Sequence, residues 1–66
     1  MNIIINGEKK EFDKEITLQK LLQKLSLEGK VMAAAVNMNI VKQSEWESYI
    51  LKDSDKLELL DFVGGG

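Results

Sequence analysis

Leu57-Glu58-Leu59-Leu60-Asp61-Phe62-Val63-Gly64-Gly65-Gly66 closes the chain. Residues 57–63 have the length and apolar content of a strand, and they run into the glycines with no polar spacer. Period two sets Leu57 and Leu59 on one face and Glu58, Leu60 and Phe62 on the other. Glycine lacks a Cβ, so Gly64, Gly65 and Gly66 can thread a channel too narrow for any other residue and bring a terminal carboxylate beside a nucleophile or a nucleotide. The competing reading is a frayed or linker-derived end, because such tails have nothing to pack. A linker would more often follow a natural loop, so the direct junction with a strand favours a reactive tail.

Working outward from that strand, residues 1–6 put Ile3 and Ile5 on one side and Ile4 on the other, and Asn6-Gly7 is a two-residue hairpin signal. Residues 9–13 then read as a charged edge strand with Phe12 as its apolar contact. Leu18, Leu21, Leu22 and Leu25 form one helical stripe, with Thr17 as N-cap and Gly29 free to take the left-handed conformation that ends a helix or turn. Residues 31–36 are a small apolar run best read as a buried strand, with a helix as the alternative. Asn37, Met38 and Asn39 suit a turn, and Ile40 and Val41 a short strand. Ser44 can cap a single helical turn anchored by Trp46, and Asp53, Ser54 and Asp55 form the turn before the last strand.

This order predicts an α+β fold, a mixed sheet of four to five strands on one main helix. The last strand returns beside the first, which is the β-grasp arrangement. The expected organisation is one domain over residues 1–63 and a flexible reactive tail over residues 64–66, mobile on the nanosecond scale while residues 57–60 are rigid.

Composition narrows the chemistry. With 66 residues, a domain of this size buries only about 60% of the surface its unfolded chain exposes, leaving little room for a deep active site. There is no Cys and no His, which removes thiol nucleophiles, imidazole bases and the usual zinc arrangements. Nine lysines and no arginine face eleven acidic residues, for a net charge of −2, so a track for nucleic acid has weak support. The run Ile3-Ile4-Ile5 is too short for a signal peptide or a membrane span, making the cytoplasm the expected location. The expected partner is a protein.

Leu60 and Phe62, with Val63 beside them, present apolar groups next to the tail, and Ile4, with the same outward parity on the first strand, is expected to lie near Leu60 when those two strands pair. Single exposed hydrophobes are ordinary, but a contiguous patch rimmed by charge marks a docking surface. Asp53, Asp55 and Asp61 lack the spacing of a calcium loop and read as a solvated turn and a strand end. Glu45 and Glu47 flank Trp46 on a short surface turn with no sign of a pocket. No phosphate-cradling loop is present.

Taken with the length, these residues resemble the ThiS family of sulfur carriers of thiamine biosynthesis, ubiquitin-like β-grasp proteins, across essentially the whole chain. The likeness lies in Ile5-Asn6-Gly7, Thr17-Leu18 through Leu22, Ala35-Val36-Asn37, Val41 and Trp46, residues 51–59, and above all Phe62-Val63-Gly64-Gly65-Gly66. Lys42-Gln43 stands where such proteins often carry Pro-Arg, and Ser54 precedes Asp55 where Gly-Asp is common. Both departures lie away from the tail.

The resemblance implies a protein cosubstrate rather than an enzyme. A separate adenylating (E1-like) enzyme would use ATP and Mg²⁺ to activate the carboxylate of Gly66, with no cofactor bound by this chain. A persulfide donor would then supply sulfur, and the resulting thiocarboxylate would feed thiazole synthase. Gly64 and Gly65 would serve access, while Ile4, Leu60, Phe62 and Val63 would dock the partners, with the free carrier a monomer. Three other readings stay open: a molybdopterin synthase small-subunit-like carrier, a ubiquitin-like modifier of lysines, and an interaction module with an inert tail.

Overall fold

β1 (Asn2–Ile5) buries Ile3 and Ile5 and leaves Ile4 half-buried on the opposite face, as the pleat demands. The computed structural model describes residues 1–61. The expectations placed on Phe62, Val63, Gly64, Gly65 and Gly66 lie outside the described residues. Asn6 and Gly7 turn with φ of 48° and 86°, the positive pair that matches the right-handed twist of a two-residue hairpin. β2 (Glu8–Glu11) returns antiparallel with Lys9 opposite Ile4. All four β2 residues are exposed, so charge guards this edge.

β3 (Ile16–Thr17) leads directly into α1 (Leu18–Lys24), whose Leu18, Leu21 and Leu22 are buried. The predicted cap is present: Thr17 Oγ1 accepts from the Lys20 N–H at 3.1 Å. The Leu18 and Gln19 N–H groups donate to the carbonyls of Tyr49 and Trp46 at 2.8 and 3.0 Å. Three donors that a helix start leaves open are thus satisfied by the chain's own atoms. The helix leaves at Ser26 (φ 59°) rather than at Gly29. The Ser26 and Leu27 amides donate to the carbonyls of Gln23 and Leu22, a Schellman closure that frees Gly29 (φ 78°) for the following turn.

Residues 31–36 form a strand, β4 (Val31–Val36), and not the alternative helix. Asn37 and Met38 make the turn with φ of 50° and 73°, while Asn39 belongs to β5 (Asn39–Val41). A 3-10 turn spans Gln43–Glu45, and its N-cap is Lys42 with no side-chain bond, so Ser44 is inside the turn and is not its cap. Trp46 is buried as the anchor of this turn, its Nε1 donating to the Val41 carbonyl at 2.8 Å. β6 (Ile50–Leu51) pairs antiparallel with β3 in a separate ladder that no sequence pattern announces, because two residues are too few to show a period.

β7 (Lys56–Asp61) completes a five-stranded sheet ordered β2-β1-β7-β4-β5. β7 runs parallel to β1 and antiparallel to β4. The last strand is therefore central, as the β-grasp order requires. Ile3, Leu18, Leu21, Leu22, Leu51 and Leu57 are almost wholly buried between this sheet and the helix, each contributing about 1.5–3 kcal/mol of burial free energy. No helix among the described residues is long and apolar enough to cross a membrane.

Candidate functional site

The candidate site is the end of β7 and the sheet face around it. β7 starts from a bonded corner. Asn37 Oδ1 accepts from the Lys56 N–H at 3.0 Å, and Asn37 Nδ2 donates to Asp55 Oδ1 at 3.0 Å. Asp55 Oδ2 also accepts from the Lys52 N–H at 2.8 Å, and Asp53 Oδ1 accepts from the Asn2 N–H at 2.6 Å. The turn is solvated, as its sequence reads, but its aspartates are also bonded: Asp55 closes the turn's backbone through Lys52, a local bond of the kind Asp favours, and Asp53 ties the turn to the start of β1. Among the described residues no group of three or more acidic side chains is placed to hold a metal ion.

From that corner the strand alternates as its sequence predicts: Leu57 is buried, Glu58 exposed, Leu59 packed partly against the core, and Leu60 exposed to 54%. Leu60 therefore stands on the outer face. Its neighbours differ from those expected. In the parallel register Ile4 pairs with Lys56 and Ile5 with Leu57, so Ile4 and Leu60 sit four strand positions apart, about 13 Å along the sheet. The expected contact between them is not formed.

The apolar neighbours of Leu60 come from the other side of β7. Ala33 pairs with Leu60, Ala35 pairs with Glu58, and Ala35 pairs with Ile40 on β5. Ile40 is 73% exposed. Alanine ends at Cβ, so two alanines between Ile40 and Leu60 leave a shallow depression of about 300 Å³ floored by Ala33 and Ala35 and rimmed by Ile40, Glu58 and Leu60. A bulge lies beside it: Val31 pairs with Asp61 and Ala33 with Leu60, placing one extra residue in β4. Val31 is buried there while Met32 is 46% exposed. A bulge re-aims side chains in this way.

Ile40 was legible in part, because Val41 inward implies Ile40 outward, but its place across two strands from Leu60 depends on pairing. Met32 gave no signal, since a bulge leaves none in a run of small apolar residues. A second groove of about 340 Å³ lies between α1 and the segment after β2, lined by Phe12, Ile16 and Thr17 with Lys14, Lys20 and Lys24. Asp13 and Glu15 also line it, so its charge is mixed. Among the described residues the core holds no buried polar or charged side chain.

Known proteins resemble the chain along its full length. A protein named thiazole synthase from Paramagnetospirillum magneticum is 36% identical over 66 residues, which are all of this chain and 20% of that protein. The chain thus spans about a fifth of that relative. The sulfur carrier protein ThiS of Escherichia coli (strain K12) is 29% identical over 66 residues, covering all of both chains. The crystal structure of a thiamine biosynthesis protein (ThiS) from Geobacter metallireducens superposes with a TM-score of 0.84 at 27% identity, again covering all of both chains. With its β-grasp sheet, its central last strand and a match to the family model over residues 3–66, this chain belongs to the ThiS family.

Proposed function

We propose that this protein is a sulfur carrier of thiamine biosynthesis whose working group is the carboxylate of Gly66. The observation that carries the reading is the family match, which continues to residue 66 and so includes the triple glycine. The geometry supports it. β7 is central and bonded on both sides, and it reaches Asp61 beside the apolar depression of Ala33, Ala35, Ile40 and Leu60. A partner seated on that face would receive the chain end from a rigid base, and ordering costs in binding fall when the presenting strand is already fixed.

In this reading an adenylating enzyme binds ATP and Mg²⁺, and a carboxylate oxygen of Gly66 attacks the α-phosphorus, releasing pyrophosphate. The acyl-adenylate has a good leaving group. A persulfide on a sulfur donor attacks the carbonyl carbon and AMP departs. A thiol then attacks the donor's own sulfur in the acyl disulfide, forming an ordinary disulfide with it and leaving the transferred sulfur on the carbonyl carbon as the thiocarboxylate. The catalysts are the partners, and the carrier supplies the acyl group on which covalent chemistry proceeds.

Thiazole synthase is the proposed acceptor of the sulfur. Its support is the P. magneticum protein of that name, in which a stretch similar to this whole chain occupies one fifth of the length. Joining carrier and acceptor in one polypeptide raises their effective concentration, which is useful when one consumes what the other delivers. The need for ATP and reducing thiols suits the cytoplasm.

Intact-mass measurement tests the reading. Incubation with the adenylating enzyme, ATP, Mg²⁺ and a persulfide donor should exchange one oxygen for one sulfur, and a fragment spectrum should place the change at Gly66. A stable isopeptide adduct on a lysine, or an unchanged mass, would overturn it.

A further inference from the structure

The side chain of Asn6 makes bonds that neither the hairpin nor the core requires. β1 ends at Ile5, where the chain turns back into β2. On that side β7 loses its backbone partner early. The parallel ladder runs through Ile4 N–H to the Asp55 carbonyl and Asn6 N–H to the Leu57 carbonyl, both at 2.9 Å. The next groups of β7 facing β1 are the N–H and C=O of Leu59. With no strand beside them they would form an open edge within the middle of the sheet.

The side-chain amide of Asn6 fills that place. Its Oδ1 accepts from the Leu59 N–H at 2.8 Å, and its Nδ2 lies 3.4 Å from the Leu59 carbonyl as donor. A carboxamide carries the same acceptor and donor as a peptide group, so it stands in for one more residue of β1 after the backbone has turned away. Asn6 also adopts φ 48°, a conformation that Asn accepts more readily than most residues. One residue thereby meets two demands, the hairpin's backbone and the strand's ladder.

We infer that Asn6 is a positioning residue for the carrier reaction: its amide fixes β7 at Leu59, the base from which the carboxylate of Gly66 is presented to a docked partner. This rests on the sulfur-carrier reading. On the opposite side of β7, Ala34 and Ala33 of β4 pair with Leu59 and Leu60. Asn6 is the counterpart of those pairings, carrying the hydrogen bonding on the β1 side beyond the Ile5–Leu57 pair to Leu59. Without it, this stretch of β7 would be held from one side only.

Two substitutions separate this role from the hairpin. Asn6→Gly keeps a residue at ease with positive φ and removes the amide. Asn6→Asp keeps an oxygen that can accept from Leu59 and tolerates the turn. In native-state amide exchange, Asn6→Gly should speed exchange at Leu59 by about three- to tenfold, the range for losing one solvent-accessible hydrogen bond. The Ile3 amide should exchange as in the parent protein. In adenylation assays its kcat should fall by a similar factor with KM within about twofold, because the docking face around Ile40 is untouched. Asn6→Asp should recover most of both losses. Leu59 protection equal to the parent's in Asn6→Gly, or faster exchange with unchanged kcat, would overturn the inference. So would a failure of Asn6→Asp to protect Leu59. If the parent protein is not adenylated at all, the carrier reading fails instead, and Leu59 exchange in the two variants still decides whether the amide holds the strand.

Discussion

The indole Nε1 of Trp46 donates to the carbonyl of Val41 over 2.8 Å, with Trp46 buried. That bond ties the 3-10 turn after β5 to the last residue of β5, next to Ile40, the most exposed member of the proposed docking face. The Trp46 carbonyl also accepts from the Gln19 N–H at 3.0 Å. A single side chain and its backbone therefore link the outer edge of the sheet to the start of the helix.

Trp46→Phe should destabilise the domain by about 1–3 kcal/mol, because it retains an aromatic ring and leaves the Val41 carbonyl without its donor. Trp46→Ala adds a cavity and should cost about 3–5 kcal/mol. Urea unfolding monitored by far-UV circular dichroism compares them. A Trp46→Phe variant as stable as the parent would show that the hydrogen bond contributes nothing beyond packing, and equal losses in the two variants would show that the retained ring contributes nothing.

Leu60→Glu and Ile40→Glu should each weaken the complex with the adenylating enzyme by about 2 kcal/mol or more, roughly thirtyfold in Kd, as expected for residues central to an interface. Both side chains are exposed, so neither change should shift the melting temperature by more than a few degrees. Ile4→Ser should do the reverse, lowering stability by about 1 kcal/mol through its half-buried side chain with less effect on binding. Titration calorimetry beside thermal melts gives both numbers. Unchanged affinity in Leu60→Glu and Ile40→Glu would remove this face from the docking model.

Deleting Gly66, or introducing Gly65→Leu, should abolish thiocarboxylate formation while the melting temperature stays that of the parent, since glycine has no side chain to contribute to a core. The branched side chain tests access through a narrow channel. Mass spectrometry after a complete activation reaction is the measurement, and normal sulfur incorporation in either variant would refute the assignment of the tail.

Thr17→Ala should lower stability by about 1 kcal/mol through loss of the bond from the Lys20 N–H to Thr17 Oγ1. Thr17→Ser retains the hydroxyl and should stay within a few tenths of a kcal/mol of the parent. Chemical denaturation of the three proteins decides whether the cap, rather than β3 pairing, explains the choice of threonine.

Local sequence signals account for most of the elements of this protein. Period two in residues 1–6 and 57–60, the leucine stripe of α1, the Asn6-Gly7 turn and the Thr17 cap are each set by the dihedral and side-chain preferences of a few neighbouring residues. Their order is enough to place the last strand in the centre of a β-grasp sheet and Leu60 on its outer face. Tertiary structure alone decided what meets what. Strand register put Lys56 and not Leu60 beside Ile4, and a bulge exposed Met32. The two-residue ladder of β3 and β6 exists only because distant segments are brought together. Asn6 shows the difference within one residue. Its place in the hairpin follows from being Asn before Gly, whereas its bond to Leu59 joins positions 53 residues apart. No local preference encodes that distance, and only the parallel return of β7 closes it.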